Sequence, residues 1–134
     1  MRVGDLMQRD FAVARHDDSV QDAAKAMAEH RSDIVLIEQD GGLAGLLTER
    51  DLLVRVVAVG RDPSYTPVWQ VMSASLYTCA EQDEAKSVAE RMDAHGIDQM
   101  PVVDVAGRPV GLVTRGAAAG RRTVIAVPSP GPRS

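Results

Sequence analysis

Residues 3–48 of this chain return, in order, as residues 68–114, and that repeat limits the folds open to it. Val3-Gly4-Asp5-Leu6-Met7 recurs as Val68-Trp69-Gln70-Val71-Met72. Val20, Ala23, Ala24 and Met27 recur as Ala85, Val88, Ala89 and Met92, and His30 as His95. Gly41 through Thr48 returns as Gly107 through Thr114. The spacing is about 65 residues and lengthens by one after the histidines, which sets Val35 in the place of Pro101. A repeat of this length is one supersecondary unit used twice, and each copy leaves an apolar face for the other to cover. With 134 residues in all, each copy has about 60, too few to bury a comfortable core alone.

The local grammar of each copy is the same. Residues 20, 23, 24, 27 and 28 form the apolar stripe of an amphipathic helix, with Ser19 as its N-cap and Asp22 near the third helical position. Asp83 precedes the matching stripe in the second copy. A β-rich run follows each helix, Ile34 to Ile37 and Pro101 to Val103. A glycine turn then leads into a second strand, Leu43 to Leu47 or Val110 to Val113. Short extended stretches, Phe11 to Ala14 and Leu76 to Cys79, precede the helices, and a helix is expected from Glu49 to about Val59. The expected fold class is α+β: two repeated β-α-β-β-α units packed with pseudo-two-fold symmetry. Their boundaries are residues 1–60 for the first unit, 61–67 for a proline-bearing linker and 68–122 for the second. A C-terminal extension, 123–134, should be disordered beyond residue 127, where three prolines stand among serine and glycine.

Composition narrows the function classes. Aromatics are only 3% of the chain, so it lacks the stacking platform used for single-stranded nucleic acid. The net charge is −4 and no basic stripe suits duplex phosphate. One cysteine excludes an internal disulfide, and three histidines without a neighbouring thiol make a poor zinc set. No run is apolar enough to cross a bilayer or to form a signal-peptide core, which points to the cytoplasm. No nucleophile elbow, P-loop or dinucleotide fingerprint is present, so no enzyme activity and no cofactor or metal is expected.

Thr48 and Asp51 are the most informative polar pair. They stand three apart at a strand-to-helix junction, where Thr-x-x-Asp makes a capping box. The same carboxylate can accept hydrogen bonds from the vicinal hydroxyls of a ribose, and the two roles can coexist. In the second copy Thr114 is kept, but Ala117 replaces the aspartate. A second ribose site is therefore expected to be degenerate, giving one ligand per chain. Arg50, Arg55 and Arg115 are candidate phosphate contacts or ordinary surface charges. His30 and His95, at matching helix ends, suit the negative end of the helix dipole. Cys79 reads as a small buried hydrophobe.

The ordered motifs Asp5-Leu6-Met7, Gly45-Leu46-Leu47-Thr48-Glu49-Arg50-Asp51, Met100-Pro101-Val102-Val103-Asp104 and Gly111-Leu112-Val113-Thr114 resemble a tandem CBS (cystathionine-β-synthase) domain pair, or Bateman module, of the stand-alone bacterial type. The resemblance covers roughly residues 1–120. It implies a non-catalytic regulatory module that binds AMP, ADP, ATP or a related adenosyl compound, with Thr48 and Asp51 on the ribose. It also implies an adenine pocket from Val13, Ala14, Ile34 and Val35, and a degenerate counterpart from Thr78, Cys79, Met100, Pro101 and Thr114. A homodimer is implied, formed through helix faces that include Ala23, Met27, Val88 and Met92, and an unknown protein partner could read the ligand state. The competing reading is a ligand-free dimeric interaction scaffold. Neither reading includes nucleic acid or a membrane.

Overall fold

A computed structural model describes residues 1–74 and 76–120. The first unit contains β1 (Val13–Arg15), α1 (Val20–His30), β2 (Ile34–Gln39), β3 (Gly42–Thr48) and α2 (Glu49–Leu52). Its sheet has the order β1-β2-β3, with β1 parallel to β2 and β2 antiparallel to β3. The second unit contains α3 (Ala85–His95), β4 (Gln99–Val103), β5 (Pro109–Thr114) and α4 (Arg115–Ala118), with β4 and β5 antiparallel. The chain is thus an α+β fold of two like units. The expected end of the second unit at residue 122, the 123–134 extension and its disorder lie outside the described residues.

Helix starts follow local chemistry. Ser19 Oγ accepts from the Asp22 amide at 3.1 Å, capping α1. Asp83 does not cap α3. Glu84 holds the cap position, while the Asp83 carboxylate accepts from the Ala80 amide at 2.9 Å and closes the preceding turn. Asp18 does the same for the Arg15 amide at 2.8 Å, so the repeat lies in the turn rather than in the cap. The helix expected from Glu49 to Val59 keeps α geometry only to Leu52 and widens to a π-helix over Leu53–Val57. There the Ala58 amide reaches the Leu53 carbonyl at 2.8 Å. Crowding among the β-branched Val54, Val56 and Val57 fits this loosening.

Register places the extra residue of the second repeat elsewhere than the sequence suggested. Val35 pairs with Leu47 as Met100 pairs with Val113, and Leu36 pairs with Leu46 as Pro101 pairs with Leu112. The 65-residue spacing therefore persists through the strand, and the added residue sits in the second hairpin turn. Leu36, not Val35, occupies the place of Pro101. This explains a further difference between the units. The Leu36 amide donates to the Ala12 carbonyl at 2.9 Å, tying β1 to β2. Proline at 101 has no N–H to repeat that bond. Among the described residues, the expected strand from Leu76 to Cys79 shrinks to one bridge, between Cys79 and Val102.

The packing crosses the chain order. Val3 and Met7 are buried with Val88, Met92, Met100 and Val113 of the second unit. Val68 and Val71 are buried with Val20, Met27, Val35 and Leu47 of the first. Backbone bonds tie down the same exchange: Gln8 and Leu112 exchange two hydrogen bonds at 2.8 and 2.9 Å, and Ser73 and Leu46 two at 2.9 and 3.0 Å. The opposite sheet faces meet in a seam of Ile34, Leu36 and Leu112, with Phe11, Leu43 and Leu46 beside them. This layout corrects the expected dimer surface. Ala23, Met27, Val88 and Met92 are at most 3% exposed inside their own chain and offer no face to a partner. Exposed apolar side chains close together in sequence are found instead at Leu53, Val54, Val57 and Val59, on and after the wide helical turn.

Candidate functional site

Each unit turns from its last strand into a helix at a threonine, and the two turns differ in charge. At the first, the Asp51 amide donates to Thr48 Oγ1 at 3.2 Å, while Asp51 Oδ2 accepts from the Thr48 amide at 2.9 Å. The reciprocal capping box is complete. Asp51 Oδ1 faces Arg55 Nε at 3.9 Å, and Arg55 Nη1 donates to the Val71 carbonyl at 3.0 Å. Asp51 thus joins the helix start to the exchanged segment of the chain. Arg55 serves this link, and Arg50 is exposed on the helix surface.

At the second turn, Thr114 Oγ1 accepts from the Ala117 amide at 3.3 Å, with no carboxylate to return a bond. A cavity of about 850 Å³ opens here. Its walls include Thr114, Arg115 and Ala117 from the second unit and Phe11, His30 and Glu49 from the first. Its floor includes Leu112 of the seam between the sheets. The helix start at Arg115 is fixed by a 2.7 Å bond from its amide to the Asp98 carbonyl, as the Glu49 amide is fixed by Asp33 at 3.0 Å. The side-chain amide of Gln99 donates to Asp33 Oδ1 at 2.9 Å, which holds the two walls together.

Of the expected site residues, Thr114 and Arg115 line this cavity, and Thr48 and Asp51 are not in its lining. Ala14 and Val35 lie in the core beneath α1, Ile34 lies in the seam, and Val13 is half-buried. Met100 is core and Pro101 is buried. Thr78 and Cys79 line a separate cavity of about 500 Å³ with Glu81, Asp83 and Val103. Burial pushes the Cys79 thiol from its ordinary value near 9 up to about 11, and the Asp83 charge adds to the shift. The thiol is therefore neutral and unreactive near neutral pH.

The histidines do more than end their helices. His30 Nδ1 lies 3.0 Å from the Ala26 carbonyl and Nε2 lies 3.5 Å from Asp10, on the cavity wall. His95 stacks on Tyr77 with ring centroids 3.8 Å apart. Sequence reasoning missed Asp10, Phe11, Asp33, Glu49 and Asp98 as cavity residues. The repeat held a usable signal, because Asp33 and Asp98 each precede the strand after the long helix of their unit and accept a hydrogen bond from the start of a later helix. Among the described residues no cluster of three or more His, Cys, Asp or Glu could hold a metal ion. Nor is any of their helices long and apolar enough to cross a membrane.

The CBS domain family model matches residues 3–58 and 68–119. The CBS domain-containing protein YhcV of Bacillus subtilis is 33% identical over 114 residues, spanning 85% of this chain and 80% of its own. An uncharacterized protein of Methanopyrus kandleri is 30% identical over 113 residues, which cover 84% of this chain and 58% of that relative's length. The CBS domain pair of protein MJ0100, solved with 5′-methylthioadenosine and S-adenosyl-L-methionine, superposes with a TM-score of 0.78 at 26% identity. That match covers 90% of this chain and 98% of the other.

Proposed function

This chain belongs to the CBS domain family, and on that premise we propose that it is a non-catalytic regulatory module that senses an adenosyl ligand between its two units. The cavity of about 850 Å³ carries the reading, because both units and the seam contribute walls to it. A ligand there would touch the helix starts of both units and so favour one relative packing over another. Such a shift needs different affinities for the two arrangements, and a site shared by both units supplies that difference. The adenosyl compounds held by the MJ0100 pair supply the ligand class.

In this proposal the ligand occupies the Thr114 side, with Thr114, Arg115 and the helix start at hand for its polar groups. The Thr48–Asp51 turn is the pseudo-symmetric counterpart. There Asp51 can take a ribose diol if its capping bonds rearrange. The test is thermal unfolding with adenosine, 5′-methylthioadenosine, S-adenosyl-L-methionine, AMP, ADP and ATP. A ligand at 100 times its Kd stabilises the folded chain by about 2.7 kcal/mol. Ala117→Trp, which fills the cavity mouth, should abolish the shift while leaving a folded protein. The absence of any shift across the panel would overturn the sensing role.

One observation favours a second reading. Leu53, Val54 and Val57 are 46–68% exposed on one wide helical turn, an apolar surface suited to a second copy of the chain. In that reading the chain is a homodimeric interaction scaffold whether or not it holds a ligand.

A further inference from the structure

Asp33 and Asp98 are equivalent positions of the repeat, and each fixes a helix start of its own unit through its carbonyl. The Glu49 amide donates to Asp33 at 3.0 Å and the Arg115 amide to Asp98 at 2.7 Å. Their carboxylates are used differently. Asp98 faces Arg115 Nε at 3.7 Å, within its own unit. Asp33 Oδ1 instead accepts from Gln99 Nε2 at 2.9 Å, from one unit to the other. Among the described residues this is the one hydrogen bond between side chains that joins residues 13–52 to residues 85–118. A backbone bond from the Leu43 amide to the Gly107 carbonyl also joins the units, but at the hairpin ends of β3 and β5, away from the two threonines. Register carries the side-chain bond into both turns. Gln99 is the strand partner of Thr114, while Asp33 holds the residue that follows Thr48. The equivalent route in the other direction is closed. Ile34 is the strand partner of Thr48, but it is apolar, 4% exposed in the seam, and has no donor to offer Asp98.

From this arrangement we infer that Asp33 and Gln99 are a positioning pair that couples the two threonine turns, so that a change at Thr114 is felt at the start of α2 in the other unit. A displacement of the Thr114 turn reaches Gln99 through strand pairing, passes to Asp33 through one side-chain bond and arrives at the Glu49 amide. Coupling of this kind needs a contiguous route whose interruption has an energetic consequence. The bond supplies one, because an amide donating to an ionised carboxylate is stronger than a bond between neutral groups. As a link between the two turns the pair stands without a ligand. As a relay of ligand occupancy it rests on the sensing role proposed above.

The experiment follows single amides of the full chain by NMR, first without ligand. Gln99→Glu sets two carboxylates against each other and should speed hydrogen exchange at the Glu49 amide by about three- to tenfold, the effect of losing one such bond. Asp33→Asn keeps an acceptor oxygen and should leave the rate within about twofold of wild type. Combining Asp33→Asn with Gln99→Glu exchanges donor and acceptor and should restore slow exchange, which a merely structural defect at position 99 would not allow. Asp33 is exposed and Gln99 half-buried, so all three variants should fold. Unchanged exchange in Gln99→Glu, or no rescue in the double variant, would overturn the pair. In a second arm 5′-methylthioadenosine, S-adenosyl-L-methionine, AMP and ATP are added in turn. The Asp51 amide, bonded to Thr48 Oγ1 and outside the cavity lining, is then followed. A probe that moves the Arg115 and Ala117 amides should also move Asp51 in wild type and in the double variant, but not in Gln99→Glu. An equal shift of Asp51 in Gln99→Glu would overturn the relay and leave the sensing role standing. No shift at Arg115 or Ala117 with any of the four probes would overturn the sensing role, while the ligand-free exchange still decides the link between the turns.

Discussion

The sulfur of Met72 lies 2.6 Å from where a Cβ on Gly45 would stand. The second unit repeats the relationship, with the sulfur of Met7 2.5 Å from a Cβ built on Gly111. In each case the exchanged segment presses a methionine onto a glycine of the last strand. Both contacts explain why the two glycines and the two methionines recur together in the repeat.

Gly45→Ala and Gly111→Ala should each destabilise the fold by about 1–3 kcal/mol, the usual cost of overpacking. The backbone at Ser73 also crowds position 45, at 2.8 Å, so shortening the methionine relieves only part of the clash. Urea unfolding of Gly45→Ala, Met72→Ala and the double variant should show a positive coupling, with the double costing less than the sum. Strict additivity would mean that the methionine moves aside freely.

Helix capping separates the two threonine turns. Thr48→Ala loses one side of a complete box and should cost about 1–2 kcal/mol, whereas Thr114→Ala loses a lone 3.3 Å bond and should cost about 0.5–1 kcal/mol. If Asp51 also contacts a ribose diol, Asp51→Ala should weaken ribonucleoside binding by about 10- to 150-fold through lost charge-assisted bonds. Deoxyadenosine analogues should bind both proteins alike. Equal ribonucleoside affinity in wild type and Asp51→Ala would assign Asp51 to the cap and to Arg55 alone.

Alkaline pH should weaken the fold through Cys79. Its thiol titrates near 9 when free and near 11 when folded. A raised folded value means that the unfolded chain releases its proton first as pH rises. The contribution of the neutral thiol is therefore intact below pH 9 and is lost between about pH 9 and 11. Chemical unfolding across that range should show a falling stability that Cys79→Ala flattens. A thiol reagent at pH 8 should react with the folded protein far more slowly than with the unfolded chain.

Assembly should depend on the wide helical turn and not on α1 or α3. Val57→Asp places a charge at a side chain 68% exposed, so the monomer fold should tolerate it. Light scattering at micromolar concentration should give a dimer for wild type and a monomer for Val57→Asp. A wild-type monomer mass would overturn the homodimeric scaffold reading.

What the sequence by itself determined was local or repetitive. The stripe at Val20, Ala23 and Met27, the Ser19 cap and the Thr48–Asp51 box depend on residues three or four apart, so their chemistry is visible in one dimension. The repeat likewise announced two like units and the family to which they belong. Only the tertiary structure decided which segment completes which unit, because Val3 and Val68 are alike and either could fill either core. It also decided that Pro101 matches Leu36, since strand register is set by hydrogen bonds to a partner strand distant in the chain. The same holds for the cavity. Its walls come from residues as far apart as Gln8 and Ala117, and no local pattern reports that Asp10, Glu49 and Asp98 gather around one opening. Short-range spacing encodes elements and caps, while sites and seams arise from long-range packing that brings distant positions together.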